Sequence, residues 1–248
     1  MKRRIGRNNP FYDIPRFAFA YEQLSDGAKL LDYGCFEASF GAKLLRHKQI
    51  EYFGVDKNSE AVQRANSDLR VTAIKDRLPF ENDFFDVVSI LEVLEHVHDQ
   101  AGLLRELHRV LKPGGMLIVS VPRKHVFSFL DSGNFKFAFP RLHEAYYTLK
   151  HSKAAYSSRY LNNPDGLIGD IEKAKSWHQH FRESEFTNLI EGNGFSIIEL
   201  DGSGFLNGLY DFISLVMPPL RPLFSQRLRN WDSYTFGQVG LYCAAVKR

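Results

Sequence analysis

The 248-residue chain predicts an α/β fold built on a doubly wound, largely parallel sheet. Three features carry that prediction. Short apolar runs alternate with segments of helical spacing from residue 29 to residue 122, the pattern of strand and crossover helix in turn. The first run, Leu30 and Leu31, ends in Asp32, turns at Gly34 and enters a segment with Phe40, Leu44 and Leu45 on one helical face. The run 85–93, FDVVSILEV, is nearly continuously apolar, as a strand covered on both faces must be.

In chain order, residues 1–28 begin with a basic tip and continue with Phe17, Ala20, Tyr21 and Leu24 at helical spacing; this segment is expected to cover the ligand edge. Residues 29–122 read as the core. After the first strand and helix, EYFGVD (51–56) is a second apolar strand ending in an acid, and Asn58-Ser59-Glu60 starts a helix over AVQRANSDL. VTAI (71–74) is a third strand and 85–93 a fourth. The helix over 100–111 stripes Leu103, Leu104, Leu107, Val110 and Leu111 and stops at Pro113-Gly114-Gly115; MLIVSVP (116–122) is the fifth strand. Residues 123–180 interleave aromatic and basic residues and are too long for a plain connection, so they read as an inserted helical lid. Core order resumes over 181–248 with a helix through Phe186, Leu189 and Ile190, a sixth strand SIIEL and a seventh, VGLYCAAV. The expected fold is therefore a Rossmann-like doubly wound seven-stranded sheet with a helical cap inserted after strand five.

The strand-turn-helix junction locates the ligand. It points backbone N–H groups and a helix start at whatever lies above the sheet's C-terminal edge. A dinucleotide would ask for Gly-x-Gly-x-x-Gly, but the loop reads Gly34-Cys35-Phe36-Glu37-Ala38. Phe36 would crowd a pyrophosphate, and Glu37 would set a negative charge beside it. A ligand with a carboxylate and a cation but no phosphate fits better, and S-adenosylmethionine has both. Asp56, at the end of strand two, stands where an acid grips ribose hydroxyls; capping the next helix is its simpler role.

A net charge of +3 is too small to imply nucleic acid. The two cysteines, Cys35 and Cys243, form neither a disulfide nor a zinc pattern, so a reducing, cytoplasmic setting is expected. The N-terminus lacks the apolar stretch of a signal peptide, and no run reaches the roughly 20 apolar residues of a transmembrane span.

The stretches LLDYGC, FGVD, LPFENDFFDVVSILEVLEHV, LLRELHRVLKPGGMLIVSVP and HFRESEFTNLIEGNGF together resemble class I S-adenosylmethionine-dependent methyltransferases, in the small-molecule group that includes ubiquinone-biosynthesis O-methyltransferases. The resemblance implies S-adenosylmethionine as cofactor, an antiparallel strand in the late pair, and substrate elements at the N-terminus and after strand five. It places Asp32, Gly34 and the adjoining Cys35 at the methionine end, Asp56 and Lys57 at the ribose, and Leu91 and Glu92 as walls. Asp76 would meet the adenine amine, in place of the acid that many relatives carry at the position of Ile74. Phe36 and Ala38 stand where glycines are common, which is expected to narrow the loop.

The implied reaction moves a methyl group to a small-molecule acceptor, with a hydroxyl of a natural product, sugar or lipid precursor the expected target. A hydroxyl must lose its proton, and histidine suits that at neutral pH, so His96 and His180 are the candidate bases. Each also has a purely structural alternative in packing or capping. Glu92, Glu95 and His96 match metal-holding residues of ubiquinone O-methyltransferases, yet the same letters recur in metal-free relatives, and no metal is expected. Two other functions remain open: an RNA-modifying or RNA-binding protein using the basic, aromatic lid, with Lys150, Lys153 and Arg159 as its cations, and a non-catalytic homologue. No nucleic-acid partner is expected on balance.

Overall fold

The computed structural model describes residues 5–75, 77–126, 128, 139–161 and 179–248. Its centre is a seven-stranded sheet in the order β3-β2-β1-β4-β5-β7-β6. The strands are β1 (Lys29–Tyr33), β2 (Glu51–Asp56), β3 (Val71–Ala73), β4 (Phe85–Leu91), β5 (Leu111–Pro122), β6 (Phe195–Ser203) and β7 (Gly240–Lys247). β1 to β5 run parallel, while β7 is antiparallel to both β5 and β6, as expected of the late pair. The helices are α1 (Pro15–Gln23), α2 (Ser39–Leu44), α3 (Ser59–Arg64), α4 (Gln100–Val110), α5 (Pro140–Lys150), α6 (Lys153–Tyr156), α7 (Glu183–Gly192), α8 (Asn207–Val216) and α9 (Gln226–Thr235).

The apolar stripes settle on the two faces of the sheet. Leu31, Val88, Leu117 and Cys243 face one side, where Leu104, Leu107 and Val110 of α4 and Phe186 and Ile190 of α7 cover them. Leu30, Val87, Ile118 and Ala244 face the other, under Phe19 and Ala20 of α1 and Phe40 and Leu44 of α2. Residues that alternate along each strand thus divide between two cores, as the two-residue period of a strand demands.

Two local outcomes differ from the sequence reading, and a third segment carried no assignment. The helix over AVQRANSDL closes at Arg64, because Asn66 turns its side-chain oxygen onto the Asp68 N–H at 3.1 Å and offers the backbone a tighter turn. β5 begins at Leu111 rather than after the glycines; a register break between its pairings with Phe85 and Val87 absorbs the Lys112–Gly115 turn, with Gly114 at φ +71°. The proline-rich stretch between β6 and β7 folds as α8, a 3-10 turn (Pro218–Leu223) and α9. Buried Asp232 of α9 holds that crossover down by accepting the N–H groups of Phe205, Leu206 and Asn207. Among the described residues no helix is long and apolar enough to cross a membrane.

Candidate functional site

The register of the sheet brings the chemistry to one edge. Tyr33 ends β1 beside Val55, so the turn after β1 and the end of β2 stand side by side. The N–H groups of Gly34 and Cys35 both donate to the Val55 carbonyl, at 2.8 and 3.1 Å. Gly34 has φ +77°, and a Cβ there would stand 2.3 Å from Val93 Cγ2, so only glycine fits this approach.

The chain then keeps a left-handed backbone at Phe36 (φ +50°) and Ala38 (φ +55°), the two positions where glycine was expected. Each such residue costs on the order of 1–2 kcal/mol. One compensation is visible: Asp56, 4% exposed, accepts the Phe36 N–H with Oδ2 and the Asn58 N–H with Oδ1, both at 2.7 Å. Phe36 does not line the cleft. Its ring is 43% exposed and faces the Arg64 guanidinium at 5.9 Å. Glu37 likewise turns outward, onto Arg64 at 2.7 Å. Glu92 is a third left-handed residue at this edge, with φ +58°.

Tyr33, Gly34, Asp56, Lys57, Val93, His96 and Val97 line a narrow cleft that opens to solvent, with about 330 Å³ of space including its mouth. Val93 and Val97 flank the 3-10 turn Leu94–His96 that follows β4. His96 is nearly buried, and its Nε2 lies 3.6 Å from Glu95 Oε1, itself fully buried. Of the residues singled out from the sequence, Gly34, Asp56, Lys57 and His96 therefore meet at one cleft.

The others lie elsewhere. Asp32 is buried and does not line the cleft, accepting hydrogen bonds from Tyr52 Oη and Ser89 Oγ, each at 2.8 Å. Burial raises its pKa from 3.8 to about 6, against the lowering pull of those two hydroxyls and with a smaller push from Asp56. Burial, with the charges of Asp32 and Asp56, also pushes the Cys35 thiol far up, which makes it a packing residue rather than a nucleophile. Leu91 packs against the α1/α2 core, and Glu92 folds back so that Ser120 Oγ donates to its carboxylate at 2.8 Å. His180 sits beside the end of β5 through the Arg123–Phe181 bridge, and its neighbour Gln179 reaches Gln100 at 2.9 Å, but it does not line the cleft. Asp76 lies outside the described residues. Among the described residues no three His, Cys, Asp or Glu side chains converge as metal ligands.

Sequence reasoning missed the valine walls and the Tyr52–Asp32–Ser89 network. The available signal was Ser89, a hydroxyl inside an apolar strand that needed a buried partner.

The residues present fit the ribose end of an adenosyl cofactor. An ionised carboxylate offers about four lone-pair sites. Asp56 uses two on backbone N–H groups, which leaves sites for two hydroxyls at the edge of an apolar cleft.

Comparison with known proteins adds an independent line. The family model described as a methyltransferase domain matches residues 5–200. The chain is 33% identical over 124 residues to the ubiquinone/menaquinone biosynthesis C-methyltransferase UbiE of Vibrio vulnificus, covering 49% of this chain and 47% of that protein. It is 31% identical over 179 residues to the demethylmenaquinone methyltransferase of Staphylococcus saprophyticus, covering 67% and 73%. It spans about half the length of several curated relatives it matches. A solved S-adenosylmethionine-dependent methyltransferase from Mesorhizobium loti superposes with a TM-score of 0.55 at 18% identity, over 95% of this chain and 100% of that one, a likeness of fold.

Proposed function

Because the chain belongs to the methyltransferase-domain family, we propose that it transfers a methyl group from S-adenosylmethionine to a hydroxylated small molecule. The observation that carries the reading is the meeting of Gly34, Asp56 and His96 around one cleft at the C-terminal edge of the sheet. When bound, the cofactor supplies an electrophilic methyl group on a sulfonium. The chain's own residues do the rest. Asp56 accepts the ribose hydroxyls, Gly34 lets backbone approach the ligand, and Val93 and Val97 exclude water along one wall. Lys57 stands at the rim, while Asp32 acts indirectly by fixing β1 to β2 and β4. Leu91 and Glu92 support the β4 end, and His180 is a second histidine at the same edge.

His96 is the proposed base. Its Nε2 faces the Glu95 carboxylate, which stabilises the imidazolium formed when a hydroxyl proton is taken. Deprotonating a phenolic hydroxyl activates its oxygen and also the conjugated ring carbon, so the base serves either acceptor atom; the hydroxyl oxygen is our choice. The segment 123–180, of which 127, 129–138 and 162–178 lie outside the described residues, is the proposed acceptor lid, and the proposed setting is cytoplasmic.

The test is direct. Calorimetry with S-adenosylmethionine and S-adenosylhomocysteine should show saturable binding, and tritiated-methyl transfer to fractions of cell extract should give a labelled small molecule whose fragmentation identifies an O-methyl group. A C-methyl product would overturn the choice of atom. Binding of NAD in place of both ligands would overturn the cofactor, and label appearing only in RNA would overturn the acceptor class.

A further inference from the structure

A second, wider cleft lies between the N-terminal segment and α9. Arg7, Tyr12, Arg227, Asn230, Trp231, Tyr234 and Thr235 line about 1130 Å³ of space. The five residues from α9 fall at i, i+3, i+4, i+7 and i+8, one continuous helical face. That face carries polar and aromatic side chains where a packed helix would carry aliphatic ones. Trp231 is 53% exposed on this face, a flat aromatic surface on which a planar ligand can stack.

The walls are held together independently of any ligand. The Tyr12 and Tyr234 rings stack at 4.5 Å and 17°. Tyr234 Oη donates to the Tyr12 carbonyl at 2.6 Å, and Asn230 Nδ2 donates to Asp13 Oδ1 at 2.7 Å. Burial raises the Tyr234 hydroxyl well above its usual range, so it stays a neutral donor. The nearby carboxylate of Asp13 is thus engaged with Asn230, whereas Arg7 and Arg227 line the space and make no ion pair with any described residue. Two available guanidinium groups beside flat aromatic walls select a planar molecule bearing an acid.

Topology puts this cleft on the reactive edge of the sheet. α9 leads into Gly240, the β7 residue paired with Pro122 at the end of β5. On the other wall, Phe11, next to Tyr12, packs at 5.2 Å on Phe40 of α2, the helix that leaves the Gly34 turn.

We propose that this cleft binds the acidic, aromatic end of the methyl acceptor, with Arg7 and Arg227 holding its carboxylate or phosphate and Trp231 flanking its ring. The assignment of the ligand as acceptor rests on the methyltransferase reading; the preference for a planar acid does not. The experiment follows Trp231 fluorescence during titration with 2-naphthoate, 2-naphthyl phosphate and, as the uncharged control, 2-naphthamide. Saturable quenching by an acid at least about tenfold tighter than by the amide is expected, the scale of one charge-assisted contact. Either acid satisfies this, and their order decides between carboxylate and phosphate. The response should vanish in Trp231→Phe and weaken about tenfold in each of Arg7→Gln and Arg227→Gln. S-adenosylhomocysteine binding, measured on the same samples, should be unchanged in these variants. Equal binding of acid and amide, no binding of either acid, or arginine variants that bind both acids normally would overturn the proposal. Failure of the wild-type protein to bind S-adenosylhomocysteine would instead overturn the methyltransferase reading and leave the acid site to stand on the quenching alone.

Discussion

Gly34→Ala tests the geometry at the centre of the site. Gly34 has φ +77°, and a methyl group there would meet Val93 Cγ2 at 2.3 Å and Val93 Cγ1 at 3.2 Å. Two separate costs follow. Holding alanine in the left-handed region costs about 1–2 kcal/mol. Forcing Val93 aside adds about 1–3 kcal/mol, as overpacking does in a filled core. The sum, about 2–5 kcal/mol, is a large part of a domain's stability. Urea unfolding monitored by circular dichroism reads it as a lower midpoint at unchanged slope. Val93→Ala separates the two costs by removing both Cγ atoms. In that background Gly34→Ala should lose only the backbone part, about 1–2 kcal/mol, so the cycle should show a coupling of about 1–3 kcal/mol. Equal costs in both backgrounds would refute the packing argument. A cost below about 0.5 kcal/mol in the wild-type background would refute both, and one that small in the Val93→Ala background would refute the backbone part.

Three further outcomes are expected. Asp56→Ala should weaken S-adenosylhomocysteine binding by about 1.5–3 kcal/mol in calorimetry, the scale of hydrogen bonds to a charged group; unchanged affinity would remove Asp56 from the site. Asp32 is held from 3.8 up to about 6, so the folded state keeps its proton more tightly than the unfolded chain does. Stability should therefore fall as pH rises from about 4 to about 6 and then level, by up to about 3 kcal/mol, and Asp32→Asn should remove that fall; a wild-type-minus-variant difference that stays flat from pH 4 to 7 would contradict it. Asp232→Ala strands three N–H donors at the start of α8 and should cost about 2–5 kcal/mol in thermal unfolding, whereas a loss under about 1 kcal/mol would show that other groups hold the β6–β7 crossover.

The apolar periods of the sequence were enough to place the seven strands, the parallel direction of the first five and the acids at or beside the ends of β1 and β2. Those features are local, because strand alternation and helical spacing are written within ten or fifteen residues. Where side chains point is a different matter. Asp32 and Asp56 look equivalent as strand-ending acids, yet Asp32 falls on the face carrying Tyr52 and Ser89, and Asp56 reaches past the strand end into the cleft. Phe36 read as crowding the loop because its identity was legible while its backbone angle was not; at φ +50° its ring is 43% exposed and does not line the cleft. The arginine-lined cleft was not legible at all. It depends on Tyr234 meeting Tyr12 across 222 residues of chain, and only folding of the sheet between them brings so distant a pair together.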